Sequence, residues 1–243
     1  MRLVRFRHGG KIYSGVLTGD DITAESLGVI KLDEVSLLAP VAPSKIVSVG
    51  LNYRDHAREL GMSVPDEPII FIKPSTSVIG PGEPIIYPAS SARVDYEAEL
   101  AVVIKEKVKN VSKEDAPGYI LGYTCFNDVT ARDLQKKDGQ WTRSKSFDTF
   151  APVGPWIETD IDPGNLSIRS YLNGELKQDS KTSEFIFTVM ELVEFISKVM
   201  TLLAGDVIAT GTPANVGEVK AGDEVTVEIE GIGKLTNRIE RGK

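Results

Sequence analysis

Residues 94–104, VDYEAELAVVI, alternate as a β-strand does, with acidic side chains at one end and apolar ones at the other. Successive side chains of a strand point to opposite faces, so Glu97 and Glu99 are predicted to share a face, with their Cα atoms about 6.5–7 Å apart. Both carboxylates could then reach one divalent cation, which would relieve the repulsion between two partly buried like charges. A solvated strand face is the commoner explanation of such a pair.

Similar strand signals recur along the chain and outnumber the helical ones. They cover residues 3–7, 12–17, 45–49, 68–73, 84–87, 94–104, 119–128, 166–172, 207–210, 224–229 and 235–239. The pair Asn173-Gly174 predicts a two-residue hairpin turn. Because helices do not alternate regularly with these strands, a doubly wound parallel sheet is disfavoured. We predict an α+β fold that is mostly β, a roll or sandwich, with a small N-terminal subdomain over residues 1–42 and the main domain over residues 43–243.

Two helices have recognisable starts. Asn52 is predicted to cap a short helix over residues 53–60. Thr188 followed three residues later by Glu191 forms a capping box, and the apolar residues after it recur at helical spacing. This predicts an amphipathic helix over residues 189–203.

Composition and charge exclude several classes of protein. The chain of 243 residues carries 28 basic and 35 acidic side chains, a net charge of −7, and it has no basic run that suits a nucleic acid. No apolar stretch approaches the roughly 20 residues of a membrane span, and no secretory signal is visible at the N-terminus. We therefore expect a cytoplasmic protein with neither nucleic acid nor membrane as a partner.

The few cysteines and histidines limit the metals that could bind. Cys125 is the single cysteine, and His8 and His56 are the two histidines. An internal disulfide and a zinc site built from several imidazoles are therefore excluded. Any bound metal would have mostly oxygen ligands, as Mg²⁺, Mn²⁺ and Ca²⁺ prefer.

His56 and Glu59 lie three residues apart on the first predicted helix and so share a face. The carboxylate would fix the imidazole tautomer and stabilise its cation, which leaves the other ring nitrogen free to take a proton from water. The pair is a candidate general base. A solvated surface helix is the alternative, and spacing alone favours it.

Polar side chains also gather where the predicted strand over residues 119–128 runs into a short helix. Asp128, Arg132, Asp133 and Gln135 lie there, and Arg132 could hold a carboxylate through two hydrogen bonds. Salt bridges among these side chains explain the cluster equally well. Lys145 could add a second cation.

A glycine-rich turn offers a weaker signal. Residues 205–217, GDVIATGTPANVG, combine a short apolar strand with a Gly-Thr-Pro turn. Its backbone amides and the hydroxyl of Thr212 could receive an anion. It could equally be no more than a tight turn.

Six of these segments, in this order, resemble the fumarylacetoacetate hydrolase family. They are GLNYRDHAREL (50–60), FIKPSTSVIGPG (71–82), VDYEAELAVVI (94–104), GYTCFNDVTARDLQ (122–135), KSFDTFAPVGPW (145–156) and LLAGDVIATGTPANVG (202–217). Each segment alone is weak, but six in register are highly specific and span nearly all of residues 45–230. Residues 1–42 carry little of the resemblance.

The resemblance implies a mixed β-sandwich roll, a divalent metal that is usually Mg²⁺, and commonly a homodimer. It implies that Glu97, Glu99 and Asp128 are metal ligands. It also implies that His56 and Glu59 are a water-activating dyad, on a segment that in relatives tends to order over the substrate as a lid.

The substrate implied by the resemblance is a small 2-oxo acid. Arg132, Gln135 and Lys145 match positions that hold the substrate and its developing oxyanion, and Thr212 matches a contact to the substrate carboxylate. In the family this site serves hydrolysis of acylpyruvates, isomerisation of 2-hydroxyhepta-2,4-diene-1,7-dioate and decarboxylation or tautomerisation of oxaloacetate-like acids, all through an enolate held at the metal.

The presence of both members of the dyad favours the hydrolase, since that reaction needs an activated water. Isomerase or decarboxylase activity is the second hypothesis, and a non-catalytic binder of metal or organic acid is the third. The side chains that would line a distal specificity pocket are Met62, Tyr96, Trp141 and Phe150.

Overall fold

A computed structural model describes residues 1–242 of the protein, most of them in strands and the loops between them. The strands are β1 Arg2–His8, β2 Lys11–Thr18, β3 Asp21–Ala24, β4 Gly28–Lys31, β5 Ser36–Leu37, β6 Lys45–Val49, β7 Ile70–Pro74, β8 Val78–Ile79, β9 Ile85–Tyr87, β10 Val94–Tyr96, β11 Ala98–Ile104, β12 Ile120–Asn127, β13 Thr130–Ala131, β14 Ala151–Glu158, β15 Ser167–Leu172, β16 Glu175–Lys181, β17 Val207–Ala209, β18 Gly217–Val219, β19 Glu224–Ile229 and β20 Gly233–Arg241. The α-helices are α1 Arg54–Leu60, α2 Arg132–Asp138, α3 Thr142–Lys145 and α4 Val189–Val199. None of these helices is both long and apolar enough to cross a membrane.

The strands form three sheets, of which the two larger ones are of mixed direction. The largest has the order β4-β3-β2-β1-β14-β12-β11-β17-β6-β7, with β5 paired to β1 and β8 to β14. The second has the order β16-β15-β19-β20-β9, and the third the order β13-β10-β18. Most pairs are antiparallel, but β6 with β17, β8 with β14 and β9 with β20 are parallel. This confirms the predicted fold, α+β and mostly β, of the sandwich-like roll type.

The main core lies between the largest sheet and the second sheet. Leu100 of β11 packs in one buried cluster with Ile168 of β15 and Val227 of β19. Helix α4 covers the end of this cluster, because its amphipathic face buries Leu192 and Ile196 in it. The packed sheets therefore hold in place the strand ends at which the polar side chains of the candidate site lie.

Residues 1–42 supply β1 to β5 and have a small core of their own, with Phe6 and Ile22 fully buried in it. They are joined to the rest through β1, where Leu3 lies opposite Ile157 of β14. The subdomain boundary after residue 42 stays a prediction.

Two neighbouring strands are interrupted at the same level, and this positions the candidate site. The run over 94–104 breaks at Glu97, so β10 pairs with β13 in the third sheet while β11 pairs with β12 in the largest one. The partner run breaks at Asp128, between β12 and β13, and the last ladder pair before the break is Ala98 with Asn127. Two acidic residues distant in sequence thus meet at one crossing between sheets.

The predictions of the hairpin turn and of the start of α4 are confirmed, whereas the predicted end of α4 is not. The hairpin is confirmed, since Asn173 and Gly174 both have positive φ, 54° and 81°. The capping box of Thr188 is confirmed as well. Helix α4 ends at Val199, short of residue 203, because Leu202 pairs with Val108 in an isolated bridge that draws the chain into extended structure.

The predicted cap of α1 was wrong. Tyr53 is the N-cap residue and makes no side-chain capping bond. The Asn52 side chain instead donates to the carbonyls of Phe187 and Thr210 at 3.0 and 2.8 Å. Asn52 therefore ties the start of α1 to the turn after β17.

Strand β14 was not predicted, because Pro152 and Pro155 argue against a strand inside a sheet. The structure accommodates Pro155 at a register shift in the pairing of β12 with β14, since Tyr123 lies opposite Glu158 and Cys125 opposite Gly154. Pro152 lies near the start of β14, opposite Ile79 of the short parallel strand β8.

Candidate active site

Glu97, Glu99 and Asp128 form a buried acidic cluster at the crossing between sheets. One carboxylate oxygen of each lies within 4.8 Å of the others. The three residues are only 6%, 1% and 1% exposed. The glutamates share a face of the chain, as the alternation predicts, and they lie in the interior, which excludes the solvated strand face.

Three cations compensate two of these carboxylates. Lys145 donates to Glu97 at 2.9 Å and to Asp128 at 2.7 Å, while Lys73 reaches the second oxygen of Asp128 and Arg132 the second oxygen of Glu97. Burial alone would raise the pKa of Glu97, but the charges of Lys145 and Arg132 outweigh it and lower that pKa to about 2. Burial alone would lower the pKa of Lys145, and Asp128 and Glu97 reverse this and raise it. Lys145 is therefore a cation at neutral pH.

Glu99 differs from its two neighbours, because no lysine or arginine within residues 1–242 forms a salt bridge with it. Its Oε2 accepts a hydrogen bond from the backbone N–H of Gly211 at 2.9 Å. Burial, and then the charges of Asp128 and Glu97, raise the pKa of Glu99 well above its ordinary value. A divalent cation would remove this penalty, and the all-oxygen donor set fits a hard cation such as Mg²⁺, Mn²⁺ or Ca²⁺.

Lys73 is a candidate that the sequence analysis missed. It lies on β7, is fully buried, and donates to Asp128 and to the carbonyl of Val129. Burial lowers its pKa, against the opposing charge of Asp128. A signal was present, since a lysine inside an apolar strand needs a buried partner.

Helix α1 brings the predicted dyad together. Nδ1 of His56 lies 2.8 Å from Oε2 of Glu59. Both carboxylate oxygens of Glu59 also accept from the backbone N–H of Asn215, at 3.1 and 3.2 Å. His56 is buried although Glu59 is exposed, so the helix is not the fully solvated one of the alternative prediction.

A helix of seven residues is marginal by itself, and α1 is held by the end of β16 and by the segment that follows it. Arg54 donates to the carbonyl of Phe185, and the Ser180 hydroxyl donates to Asp55 at 2.5 Å. The Tyr53 ring packs edge-on against Phe185, with centroids 4.9 Å apart. These contacts fix the position of His56 over the cavity.

The Arg132 guanidinium is hydrogen-bonded to three side chains of the protein. Its Nε donates to Asp95 at 2.9 Å and its Nη1 to Oε1 of Gln135 at 2.7 Å, in addition to the contact with Glu97. Three of the five N–H donors of Arg132 are thus used, which leaves one on each terminal nitrogen for a ligand. Because Oε1 of Gln135 is already an acceptor, the amide nitrogen of Gln135 is the group left for a ligand.

Thr212 is likewise held by the protein. Its hydroxyl donates to the carbonyl of Ala98 at 2.9 Å and accepts from Nε2 of Gln178 at 2.9 Å. Gln178, fully buried on β16, had no role in the sequence analysis, because nothing in the polar strand ELKQDSK marks it as an inward side chain. At the preceding Gly211, where φ is +95°, a Cβ atom would lie 2.8 Å from the Cβ of Asn52, so glycine is required there.

A cavity of about 320 Å³ gives access to these groups. Its polar lining consists of His56, Glu97, Arg132, Gln135, Lys136, Lys145 and Thr212. Its apolar lining consists of Leu51, Leu60, Met62, Ile69 and Trp141, with Gly50 beside them. A cavity of about 360 Å³ near Tyr87 and Arg241 is larger, but no member of the acidic cluster lines it.

The predicted distal pocket was half right. Met62 and Trp141 line the cavity. Tyr96 and Phe150 instead lie in a separate hydrophobic core with Val94 and Leu134. The break at Glu97 explains this for Tyr96, because β10 belongs to the third sheet rather than to the one that carries Glu99.

The similarity to known proteins extends over nearly the whole chain. Residues 45–240 match the family profile described as "Fumarylacetoacetate (FAA) hydrolase C-terminal", and residues 1–40 match one described as "Rv2993c-like, N-terminal". A mitochondrial oxaloacetate tautomerase of Xenopus laevis is 46% identical over 224 residues, which are 87% of this chain and 70% of that protein.

For two solved structures, the similarity extends over 100% of this chain and 100% of the other. A 2-hydroxyhepta-2,4-diene-1,7-dioate isomerase from Mycobacterium marinum superposes with a TM-score of 0.93 at 46% identity. A maleylpyruvate hydrolase from Sphingobium sp. SYK-6, solved with manganese(II) and pyruvate, superposes with a TM-score of 0.86 at 31% identity. The similar proteins thus include a hydrolase, an isomerase and a tautomerase.

Proposed function

The chain belongs to the fumarylacetoacetate hydrolase family, and on that premise we propose that it is a metal-dependent hydrolase that cleaves a carbon–carbon bond in acylpyruvates, that is, in 2,4-dioxo acids. One observation carries the proposal. The His56 side chain, hydrogen-bonded to Glu59, lines the same cavity as Glu97 of the acidic cluster and the Lys145 ammonium. A general base and a buried cation thus face one substrate-sized space.

Glu97, Glu99 and Asp128 would hold the metal, for which Mg²⁺ is the first candidate and Mn²⁺ or Ca²⁺ the alternatives. A bound divalent cation supplies Lewis-acid polarisation of a 2-oxo acid and stabilises negative charge that develops on it. The manganese bound in the related hydrolase supports this assignment.

His56 would act as the base. Since Glu59 accepts at Nδ1, the proton lies on Nδ1 and the Nε2 lone pair is free to take a proton from water. The resulting hydroxide attacks the distal carbonyl carbon of the 2,4-dioxo acid. Glu59 stabilises the imidazolium that this step creates.

Lys145 would stabilise the tetrahedral oxyanion. Two of the three N–H donors of its ammonium point at Glu97 and Asp128, which leaves the third for the oxyanion. The bond between C3 and C4 then breaks, and its electron pair stays on C3. The products are a free acid and the enolate of pyruvate, which takes up a proton at C3.

A second candidate function is isomerisation or tautomerisation of a related 2-oxo acid, with decarboxylation as a variant. The isomerase and the oxaloacetate tautomerase among the similar proteins favour it. These reactions need the same acidic cluster and enolate but no attack by water.

Product analysis by NMR separates the two candidates. The protein is incubated with Mg²⁺ or Mn²⁺ and acetylpyruvate, oxaloacetate or a 2-hydroxy-dienedioate, with Glu99→Gln as the matched control that removes one carboxylate charge. Pyruvate and acetate from acetylpyruvate, absent in the control, would support the hydrolase. A shifted double bond, enol–keto exchange or carbon dioxide without hydrolysis would replace it by the second candidate.

We also propose that the chain forms a homodimer. Strand β7 ends the largest sheet, and Ile69, just before it, and Ile72, on it, are 45% and 44% exposed. An apolar sheet edge of this kind is a ready pairing surface. Light scattering after size-exclusion chromatography would test the proposal, and a monomer mass at micromolar concentration would contradict it.

A further inference from the structure

Helix α2 presents three polar side chains to the cavity, and only two of them belong to the network around the acidic cluster. Residues three and four apart share a helix face, so Arg132, Gln135 and Lys136 point to the same side. All three line the cavity. Lys136 lies four residues beyond Arg132, about 6 Å further along the helix axis, and so at a greater distance from Glu97.

Lys136 is exposed and forms no salt bridge within the part of the chain that the structure describes. The acidic residues of α2, and the carboxylate that pairs with the cavity-lining His56, have other partners. Asp133 accepts from Ser91 at 2.6 Å, and Asp138 accepts from Arg143. Glu59 accepts from Asn215 and lies beside His56. The charge of Lys136 is therefore uncompensated at the mouth of the cavity.

The rest of the cavity mouth is apolar. Leu60, Met62, Ile69 and Trp141 line it and would contact a carbon chain. Among the charged groups of the lining, Glu97, Arg132 and Lys145 are already paired with one another. Among the lysines and arginines of the lining, Lys136 is the one that forms no salt bridge within the described residues.

We propose that Lys136 is a specificity-determining residue that binds the second carboxylate of a dicarboxylic 2-oxo acid. The inference rests on the proposed function to the extent that the 2-oxo acid end must lie at the acidic cluster. The acyl chain would then cross the apolar mouth, and its terminal carboxylate would reach Lys136 one helical turn away from Arg132. A neutral acyl group would leave the lysine without a partner.

The test is a binding measurement that does not depend on turnover. Protein loaded with Mn²⁺ is titrated by calorimetry, at low ionic strength, with 2-oxoglutarate and with 2-oxopentanoate, which has the same carbon chain without the second carboxylate. We expect about five- to tenfold tighter binding of 2-oxoglutarate, as suits one partly desolvated charge pair. Lys136→Ala should abolish this preference, and Lys136→Arg should retain it.

Lys137→Ala is the matched control, since Lys137 is the adjacent exposed lysine and does not line the cavity. It should leave the preference unchanged. Equal affinities for the two acids in the unaltered protein, a preference that survives Lys136→Ala, or no binding of either acid would overturn the inference. Binding with the expected preference but without turnover of any acylpyruvate would contradict the proposed hydrolase alone, so the two failures are distinguishable.

Discussion

The backbone N–H of Asp128 donates to the carbonyl of Glu97 at 2.9 Å, at the level where both of their strands leave the largest sheet. This bond continues the link between the two strands just beyond their last ladder pair, Ala98 with Asn127. Lys145 then bridges the two carboxylates. The backbone of the crossing thus fixes two candidate metal ligands before any cation binds, which is the preorganisation that a metal site requires.

The three carboxylates of the cluster should respond differently to neutralisation. Asp128→Asn leaves the buried Lys73 without a carboxylate partner, and we expect it to cost about 3–5 kcal/mol of unfolding free energy. Glu97→Gln leaves Lys145 with Asp128 and Arg132 with Asp95, so it should cost less, about 2–4 kcal/mol. Glu99→Gln replaces a carboxyl that forms no salt bridge within residues 1–242 and whose pKa is raised by burial, so the metal-free protein should lose less than about 1 kcal/mol or become more stable. Urea unfolding in the presence of a chelator measures all three.

The same Glu99→Gln variant should lose the stabilisation that metal provides. In the unaltered protein, Mn²⁺ at 100 times its dissociation constant should add about 2.7 kcal/mol to the unfolding free energy. If Glu99→Gln retained that gain, Glu99 would not be a metal ligand. If it unfolded the metal-free protein, the argument from its missing cation would be wrong.

Lys73 and Asp128 should be energetically coupled, so that the costs of replacing them singly do not add. We expect Lys73→Met to cost about 2–4 kcal/mol, since it leaves the buried Asp128 with Lys145 alone. In a protein that already carries Asp128→Asn, Lys73→Met should cost at least about 1 kcal/mol less than it does in the unaltered protein. Lys73→Met with Asp206→Asn serves as the control, since these two side chains share no hydrogen-bond partner, and its costs should add to within about 0.5 kcal/mol. Additivity in both pairs would show that the contact contributes nothing.

Much of this site could be predicted from the sequence, because its key relationships are local. Alternation along residues 94–104 predicts the shared face of Glu97 and Glu99, and helical spacing predicts that His56 meets Glu59. Both pairs lie within three residues of chain, where strand and helix geometry alone determine which side chains meet. The resemblance to the family added Asp128 to the glutamates.

The remaining features depend on long-range pairing. Lys73 reaches Asp128 only because β7 packs on β6 at the end of a sheet whose order no local pattern encodes. The break at Glu97 is invisible in the sequence, since the alternation continues unchanged across it. Tyr96 was therefore predicted to line the cavity, although its strand belongs to another sheet. Gln178 was missed because its contacts with Thr212 and Ala98 also join residues that are distant in sequence.

The dyad should be required for hydrolysis and dispensable for folding. We expect His56→Ala to reduce the rate of acetylpyruvate hydrolysis by about 10²- to 10⁴-fold, the usual contribution of a positioned base. His8→Ala is the control, because His8 lies on β1 in the N-terminal region. Release of pyruvate, followed by NMR at matched Mg²⁺, measures the loss. Turnover of acetylpyruvate unchanged by His56→Ala would exclude His56 as the base.

Asp206 should make stability fall at low pH. Its carboxylate is fully buried and accepts from Ser44 N–H at 3.0 Å, from Leu203 N–H at 2.9 Å and from the Lys45 ammonium. Burial alone would raise the pKa of Asp206, but the hydrogen bonds from Lys45, Ser44 and Leu203 outweigh it and lower the pKa. A lowered pKa in the folded state means that the stabilisation is present above the unfolded pKa of about 3.9 and is lost as the pH falls through the folded value.

Asp206→Asn should therefore cost about 2–4 kcal/mol at pH 7, where the charged acceptor is lost, and progressively less below about pH 4. Unfolding free energies from urea titrations between pH 3 and 7, a range chosen about the ordinary pKa of aspartate, measure the difference. Asp20→Asn, a change at an exposed turn, should shift stability by less than about 0.5 kcal/mol throughout. A cost of Asp206→Asn that stayed constant down to pH 3 would mean that the buried carboxylate contributes through its shape and not through its charge.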